Sequence, residues 1–372
     1  PKTHLEKSGE TNNWWSGQSL LHTLIAKEHN AIVDRLQLEY PTWSGERLFH
    51  TARLINTALM AKIHTVEWTP AILGHPTLRI AMNANWWGLF SEHITRLFGR
   101  LSRSEELSGI PGAPLDHHGV PYSLTEEFVA VYRMHSLMPD SIRWHRVEDG
   151  RFVREDSLPD VSGVSTRSAF EGGLSADDLC YSFGIQHPGA LVLHNYPGFL
   201  RKLPQRDEDG AEAPIDLAAI DVLRDRERGI PRYNTFRRLL HLRPARSFDD
   251  ITSNPQWARE LREVYGDVER VDMMVGTLAE DRPQGFGFSD TQFRVFILMA
   301  SRRLASDRFF TTDYNVNVYS RVGMEWINDN TMCSVVLRHY PDIAPAIRQV
   351  KNAFAPWVPI AAWQPRPSRT LH

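Results

Sequence analysis

Cysteine is scarce in this sequence. Cys180 and Cys333 are the only two among 372 residues, too few for a disulfide framework. Neither stands in a spacing that suits a metal, and both read as free thiols. Long apolar runs are missing too: none approaches the roughly 18 residues that a membrane-spanning helix needs. No charge of one sign dominates, since 42 basic and 45 acidic residues leave a formal charge of −3. That balance gives no electrostatic reason to expect a nucleic-acid partner. There is no internal repeat and no low-complexity block, which sets solenoids aside. The chain starts at Pro1 without an initiator methionine and shows no leader-like stretch. Its location in the cell stays open.

What is present is ordinary for a soluble globular protein: 42% hydrophobic and 23% charged residues. The length permits one large domain. A short polar segment (1–13), a body (14–340) and a proline-containing tail (341–372) are the expected divisions.

The periodicity of the body predicts a mainly α fold. Residues 15–37 place Leu20, Leu21, Leu24, Ile25, Ile32, Val33 and Leu36 on one broad stripe. Ser44 suits the cap of a second long helix, expected to end at Thr69-Pro70 because proline lacks the donor a helix needs. An apolar segment from Ile72 to Phe98 allows a break near Asn83 to Gly88. Residues 109–122 read as a loop. Short strands fit near 142–154, and 203–214 reads as a solvated acidic loop. Further helices fit 215–226, 232–240, 258–265 and 290–304, with shorter elements near 318–327 and 333–339. The tail reads as coil.

Within this frame Tyr132-Arg133-Met134-His135 carries chemical interest. Thr125 and the two glutamates after it suit a helix start, and residues 125–135 fit one helix. A tyrosine and a histidine three residues apart would then share a face. A neutral imidazole is a common axial ligand of haem iron, and a phenol one turn away is a candidate electron donor. Such a pair also fits simple packing.

Longer blocks point further. Lys27-Glu28-His29-Asn30, Pro41-Thr42-Trp43 and Ala52-Arg53-Leu54-Ile55-Asn56 resemble the animal haem peroxidase and cyclooxygenase superfamily. AKIHTVEWTPAILGHP (61–76), NWWGL (85–89), YRMHSLMPD (132–140), HPGAL with NYP (187–197), RDRERGIPRYNTFRR (224–238), REVYGD (262–267) and MASRRLASDRFF (299–310) are similar to the plant-type fatty-acid α-dioxygenases. The similarity runs from about Trp14 to Tyr340.

The resemblance implies a haem peroxidase-like, cyclooxygenase-like helical domain over 14–340. It implies haem b with iron held by His135, and O2 insertion at the α-carbon of a long-chain fatty acid to give a 2-hydroperoxy acid. Tyr132 would be the radical-forming residue. Asp221 falls where related peroxidases place the acceptor for the other ring nitrogen of the ligand, although an exposed helix acid reads the same way. His64 and Thr69 match the family's carboxylate-binding pair. Arg303 is the best match to its arginine partner, with Arg302 and Arg308 as alternatives. Phe128, Leu137 and the Phe293–Met299 face are candidates for an acyl channel, or for ordinary core. Trp14, Trp15, Trp86 and Trp87 read as packing.

The chain also departs from the family pattern. Complete members carry an N-terminal part that supplies a distal haem histidine and a calcium site, and the match here lacks both. His4 is a poor substitute, and no arginine stands near Thr11-Asn12-Asn13. The expectation is a missing N-terminal portion, with the distal pocket completed by other sequence or by a second chain. Two rival readings remain: a haem peroxidase acting on small substrates, and a non-catalytic remnant. The expected protein is soluble or touches membranes only peripherally.

Overall fold

A computed structural model describes residues 14–119, 122–203 and 211–360. His4 and Thr11-Asn12-Asn13 lie outside the described residues. The chain forms two compact units. One comprises 1–71, 141–187 and 315–372, the other 72–140 and 188–314. Both are mainly helical, and the one sheet among the described residues is a two-stranded antiparallel pair, Ser141–His145 with Phe152–Ser157. No helix of the described residues is long and apolar enough to cross a membrane.

The first unit is built on the helices Ser16–Glu39 and Gly45–Ile63. Ser44 caps the second as its sequence suggests, accepting from the Arg47 amide at 3.2 Å. Leu20, Leu24, Ile32 and Leu36 are buried on the first helix, and Ile55 and Leu59 on the second. Gly323 sits where Arg321–Asp329 crosses: a Cβ there would lie 2.5 Å from Ile55 Cδ1. A larger residue would push the Ile55 side chain aside.

Buried charge ties this unit together. Glu28 has no solvent exposure. Its carboxylate accepts from Arg338 Nη1 at 2.5 and 2.6 Å, His339 Nε2 at 2.8 Å and Trp326 Nε1 at 2.9 Å. Removing one side of a buried ion pair strands the other without compensation. Glu28→Ala is expected to cost about 3–5 kcal/mol, read as a lower denaturant midpoint. Lys62 is likewise buried and donates to the carbonyls of Ile327, Asn328 and Asn330 at 2.5–2.9 Å.

Three expectations need correction. The second long helix does not end at Thr69-Pro70. It widens into a π-helical turn, His64–Trp68, and continues as Thr69–Ile72. A wider turn lets the chain pass proline, which has no N–H to give to the turn below. Second, the tail is not coil throughout its described part. Pro341–Ile343 and Ala344–Ile347 are helical turns, and buried Trp357 packs on Gly184 and donates its amide to the Gly184 carbonyl at 2.8 Å. Third, Tyr132 and His135 do not share one helix. Glu126–Val131 is helical, Tyr132 is its C-terminal cap, and His135 opens a 3-10 turn to Leu137. The cause is tertiary: buried Gln292 donates its side-chain amide to the Val131 carbonyl, the acceptor that His135 N–H would use in a continuing helix.

The second unit places these residues against the helix Asp290–Ala305. Val295 and Met299 pack with Ala130, Val131, Ile230, Phe236 and Met273, and Phe128 joins them. The break expected near Asn83–Gly88 falls at Gly88, between Pro76–Trp87 and Ser91–Phe98.

Candidate haem and substrate site

The irregular chain after Val131 sets how Tyr132 and His135 stand. The Tyr132 ring stacks on Phe128 at 5.0 Å and on Phe296 at 5.9 Å. Its hydroxyl makes no hydrogen bond among the described residues, and burial raises its pKa. The phenol is therefore protonated, held by its ring and free at its oxygen.

His135 is held through Nδ1. Tyr196 Oη lies 3.2 Å from Nδ1 and donates its single proton to Asp221 Oδ2, also at 3.2 Å. His135 must then be the donor at Nδ1, which leaves the lone pair on Nε2. Nε2 has no hydrogen-bond partner among the described residues. Burial lowers the His135 pKa, with Asp221 pulling it up and Arg133 pushing it down. A neutral imidazole with a tied Nδ1–H and an open Nε2 is the form that binds iron, so these residues fit a haem.

Asp221 has no solvent exposure. Its Oδ2 is 3.6 Å from His135 Nδ1, so the acceptor in contact with the imidazole is Tyr196 and Asp221 stands behind it. Arg133 Nη1 lies 3.4 Å from Asp221 Oδ1. Sequence reasoning assigned no role to Tyr196 or Arg133. The only signal was that each stands inside a matched block, NYP and YRMH.

Asp225 follows Asp221 by one turn on Leu217–Glu227 and is 6% exposed. Burial raises its carboxyl pKa to about 6, with Arg133 opposing and Asp221 adding. A carboxyl raised on folding stabilises the folded state below its unfolded pKa of about 4. That contribution is lost as pH rises through about 6. Asp225→Asn is expected to add about 1–2 kcal/mol at pH 7 and nothing near pH ~3. Melting temperatures at the two pH values check this.

His64 and Thr69 belong to the other unit. The π-helical turn makes them neighbours: both the Thr69 amide and its hydroxyl donate to the His64 carbonyl, the hydroxyl at 2.8 Å. His64 stacks on Trp68 at 4.6 Å, and burial lowers its pKa. Arg303 lies two turns beyond Phe296 on the Asp290–Ala305 helix, roughly 10 Å along its axis. Its guanidinium is 4.8 Å from the Tyr122 ring.

The candidate acyl-channel face divides. Val295, Phe296 and Met299 are buried core. Phe293, Ile297 and Leu298, with Ser301 and Arg302, line a cavity of about 590 Å³. Trp14, Trp86 and Trp87 are buried, as packing residues should be.

The profile of the family described as animal haem peroxidase matches residues 2–354. The chain belongs to the animal haem peroxidase family. Alpha-dioxygenase PIOX of Oryza sativa subsp. japonica is 42% identical over 364 residues, which cover 94% of this chain and 58% of that protein. The crystal structure of Oryza sativa fatty acid alpha-dioxygenase superposes with a TM-score of 0.87 at 41% identity, over 93% of this chain and 58% of that one. A Tyr-to-Phe variant of the rice enzyme with palmitic acid gives 0.90 at 40% identity, over 96% and 60%. The fold is thus the mainly helical peroxidase fold that the sequence suggests. The chain spans a little under three fifths of the length of the curated relatives it matches.

Proposed function

We propose that this chain carries the catalytic residues of a haem-dependent fatty-acid α-dioxygenase. The observation that carries this reading is Tyr132, with its free hydroxyl, three residues from an imidazole tied at Nδ1 and open at Nε2. The similarity to fatty acid alpha-dioxygenases supports the substrate class.

His135 Nε2 would hold the haem iron. Bound haem would supply the one-electron oxidation that removes the phenolic hydrogen of Tyr132. The ring clamp of Phe128 and Phe296 keeps the resulting phenoxyl oxygen in place. That oxygen takes one hydrogen from the carbon beside the substrate carboxylate. O2 adds to the carbon radical, and the peroxyl takes a hydrogen back from Tyr132 Oη. The sum is fatty acid plus O2 giving a 2-hydroperoxy acid, with the Tyr132 phenoxyl radical regenerated for the next turnover.

Selecting the α-carbon is a matter of position, because a shift of one carbon presents the wrong hydrogen. Arg303 offers paired donors that match a carboxylate, and its place on the helix that clamps Tyr132 suits it to that role. His64 and Thr69, in the first unit, match the family's carboxylate-binding pair. Thr69 gives its hydroxyl to a carboxylate only by releasing the His64 carbonyl, which its own amide keeps satisfied.

Arg303→Leu is expected to weaken fatty-acid binding about 10–100-fold, the worth of one charged hydrogen-bonding group. Haem absorbance should not change. Binding measured by fluorescence or calorimetry checks this, and unchanged affinity would move the role to Arg302 or Arg308.

A further inference from the structure

We propose that Arg133 is a positioning residue for the imidazole relay: by drawing the Asp221 charge to Oδ1, it limits how strongly His135 donates to a bound haem iron. The inference rests on the reading of His135 as the iron ligand.

Asp221 is fully buried, and a buried carboxylate needs both charge and hydrogen-bond compensation. Here the two come on different oxygens. Oδ2 takes the Tyr196 hydroxyl at 3.2 Å. Oδ1 takes no hydrogen bond among the described residues, and Arg133 Nη1 stands 3.4 Å from it. The carboxylate is therefore shared between a proton donor that leads to His135 and a cation that leads away from it. Arg133 is well placed for this because its side chain is only 18% exposed, so solvent screens it little.

A second buried acid sharpens the argument. Asp225 Oδ2 has no hydrogen-bond partner among the described residues, and Arg133 opposes its raised pKa. The other nearby cation, Arg228, is half exposed and paired with Glu126 at 2.5 Å. Arg133 is thus the buried cation that faces both acids.

Removing it has a direction. Asp221 would pull harder on the Tyr196 proton. Tyr196 Oη would become a better acceptor for His135 Nδ1–H. The imidazole would gain electron density at Nε2 and favour ferric over ferrous iron. Tyr196 lies nearer the ring than Asp221, 3.2 Å against 3.6 Å from Nδ1, and accepts from it while donating to Asp221, so most of the effect should pass through Tyr196.

The test uses the haem-loaded chain and reads the reduction midpoint and the iron–histidine stretching frequency. Arg133→Met should lower the midpoint by about 59 mV, a tenfold shift for a one-electron couple, and raise the stretching frequency. Arg133→Lys, which keeps the charge, should stay near wild type. The change produced by Arg133→Met should shrink in a Tyr196→Phe background, as coupled residues require. If Arg133→Met does not fold, Asp221→Asn gives the opposite sign, with a raised midpoint and a lower stretching frequency.

An unchanged midpoint and stretch in Arg133→Met would overturn the proposal. So would Arg133→Lys behaving like Arg133→Met, because that assigns Arg133 a packing role. Haem absorbance that persists in His135→Ala would instead overturn the ligand reading, and the inference with it.

Discussion

Tyr132→Phe should abolish fatty-acid-dependent oxygen uptake while haem absorbance stays as in wild type. The expected fall is about a thousandfold or more, at least ~4 kcal/mol of lost transition-state stabilisation. The geometry makes this substitution clean. Phenylalanine keeps both ring contacts, to Phe128 and Phe296. The lost hydroxyl has no hydrogen-bond partner among the described residues, so stability should change by no more than about 0.5 kcal/mol. Only the group that can yield and recover a hydrogen atom is removed. Turnover of simple peroxidase substrates should survive, since it needs the haem and not this phenol. An oxygen electrode and a peroxidase dye assay on one preparation separate the two. Retained oxygen uptake would remove Tyr132 from the chemistry.

His135→Ala should have the second large effect, the loss of the haem Soret band. The imidazole is already in the state that a metal requires. Its Nδ1–H is committed to Tyr196, burial keeps it neutral, and Nε2 is open. Substituting even an outer partner of a metal ligand costs about 10–100-fold in affinity, so loss of the ligand should exceed about 100-fold. Added imidazole should restore part of the band if the protein remains folded. Haem titration followed by absorbance reads both effects. A band of wild-type intensity and position in the variant would show that another residue ligates the iron.

How much of this was legible in the sequence depends on the range of each interaction. Helices with clean stripes and good caps were readable, because their signals are local: Ser44 and Thr125 cap where their positions suggest. Tyr132 and His135 were readable as a pair, but their shared helix was not correct. Gln292, 161 residues away, takes the carbonyl that would have continued it, and no local pattern reports such a donor. Pro70 misled in the same way: its missing donor is a strong local signal, and the π turn that carries the chain past it has no local mark.

The relay behind His135 shows the same limit. Asp221 could be placed only through the resemblance, and Tyr196, 61 residues beyond His135, had no spacing to mark it. A hydrogen bond across that interval belongs to the fold and not to the motif. Arg133 was in plain view beside Tyr132. Its partner Asp221 is on the distant helix Leu217–Glu227, so its charge had no visible purpose. Chemistry-bearing residue types were thus legible, while the groups that tune them were not.

Product analysis tests α-dioxygenation by this chain directly. The haem-loaded chain is given palmitic acid and isotopically labelled O2, and the product is read by mass spectrometry. The expected product is a 2-hydroperoxy acid whose hydroperoxyl group on the α-carbon carries both labelled oxygen atoms. Peroxidase turnover with no label on that carbon would contradict it.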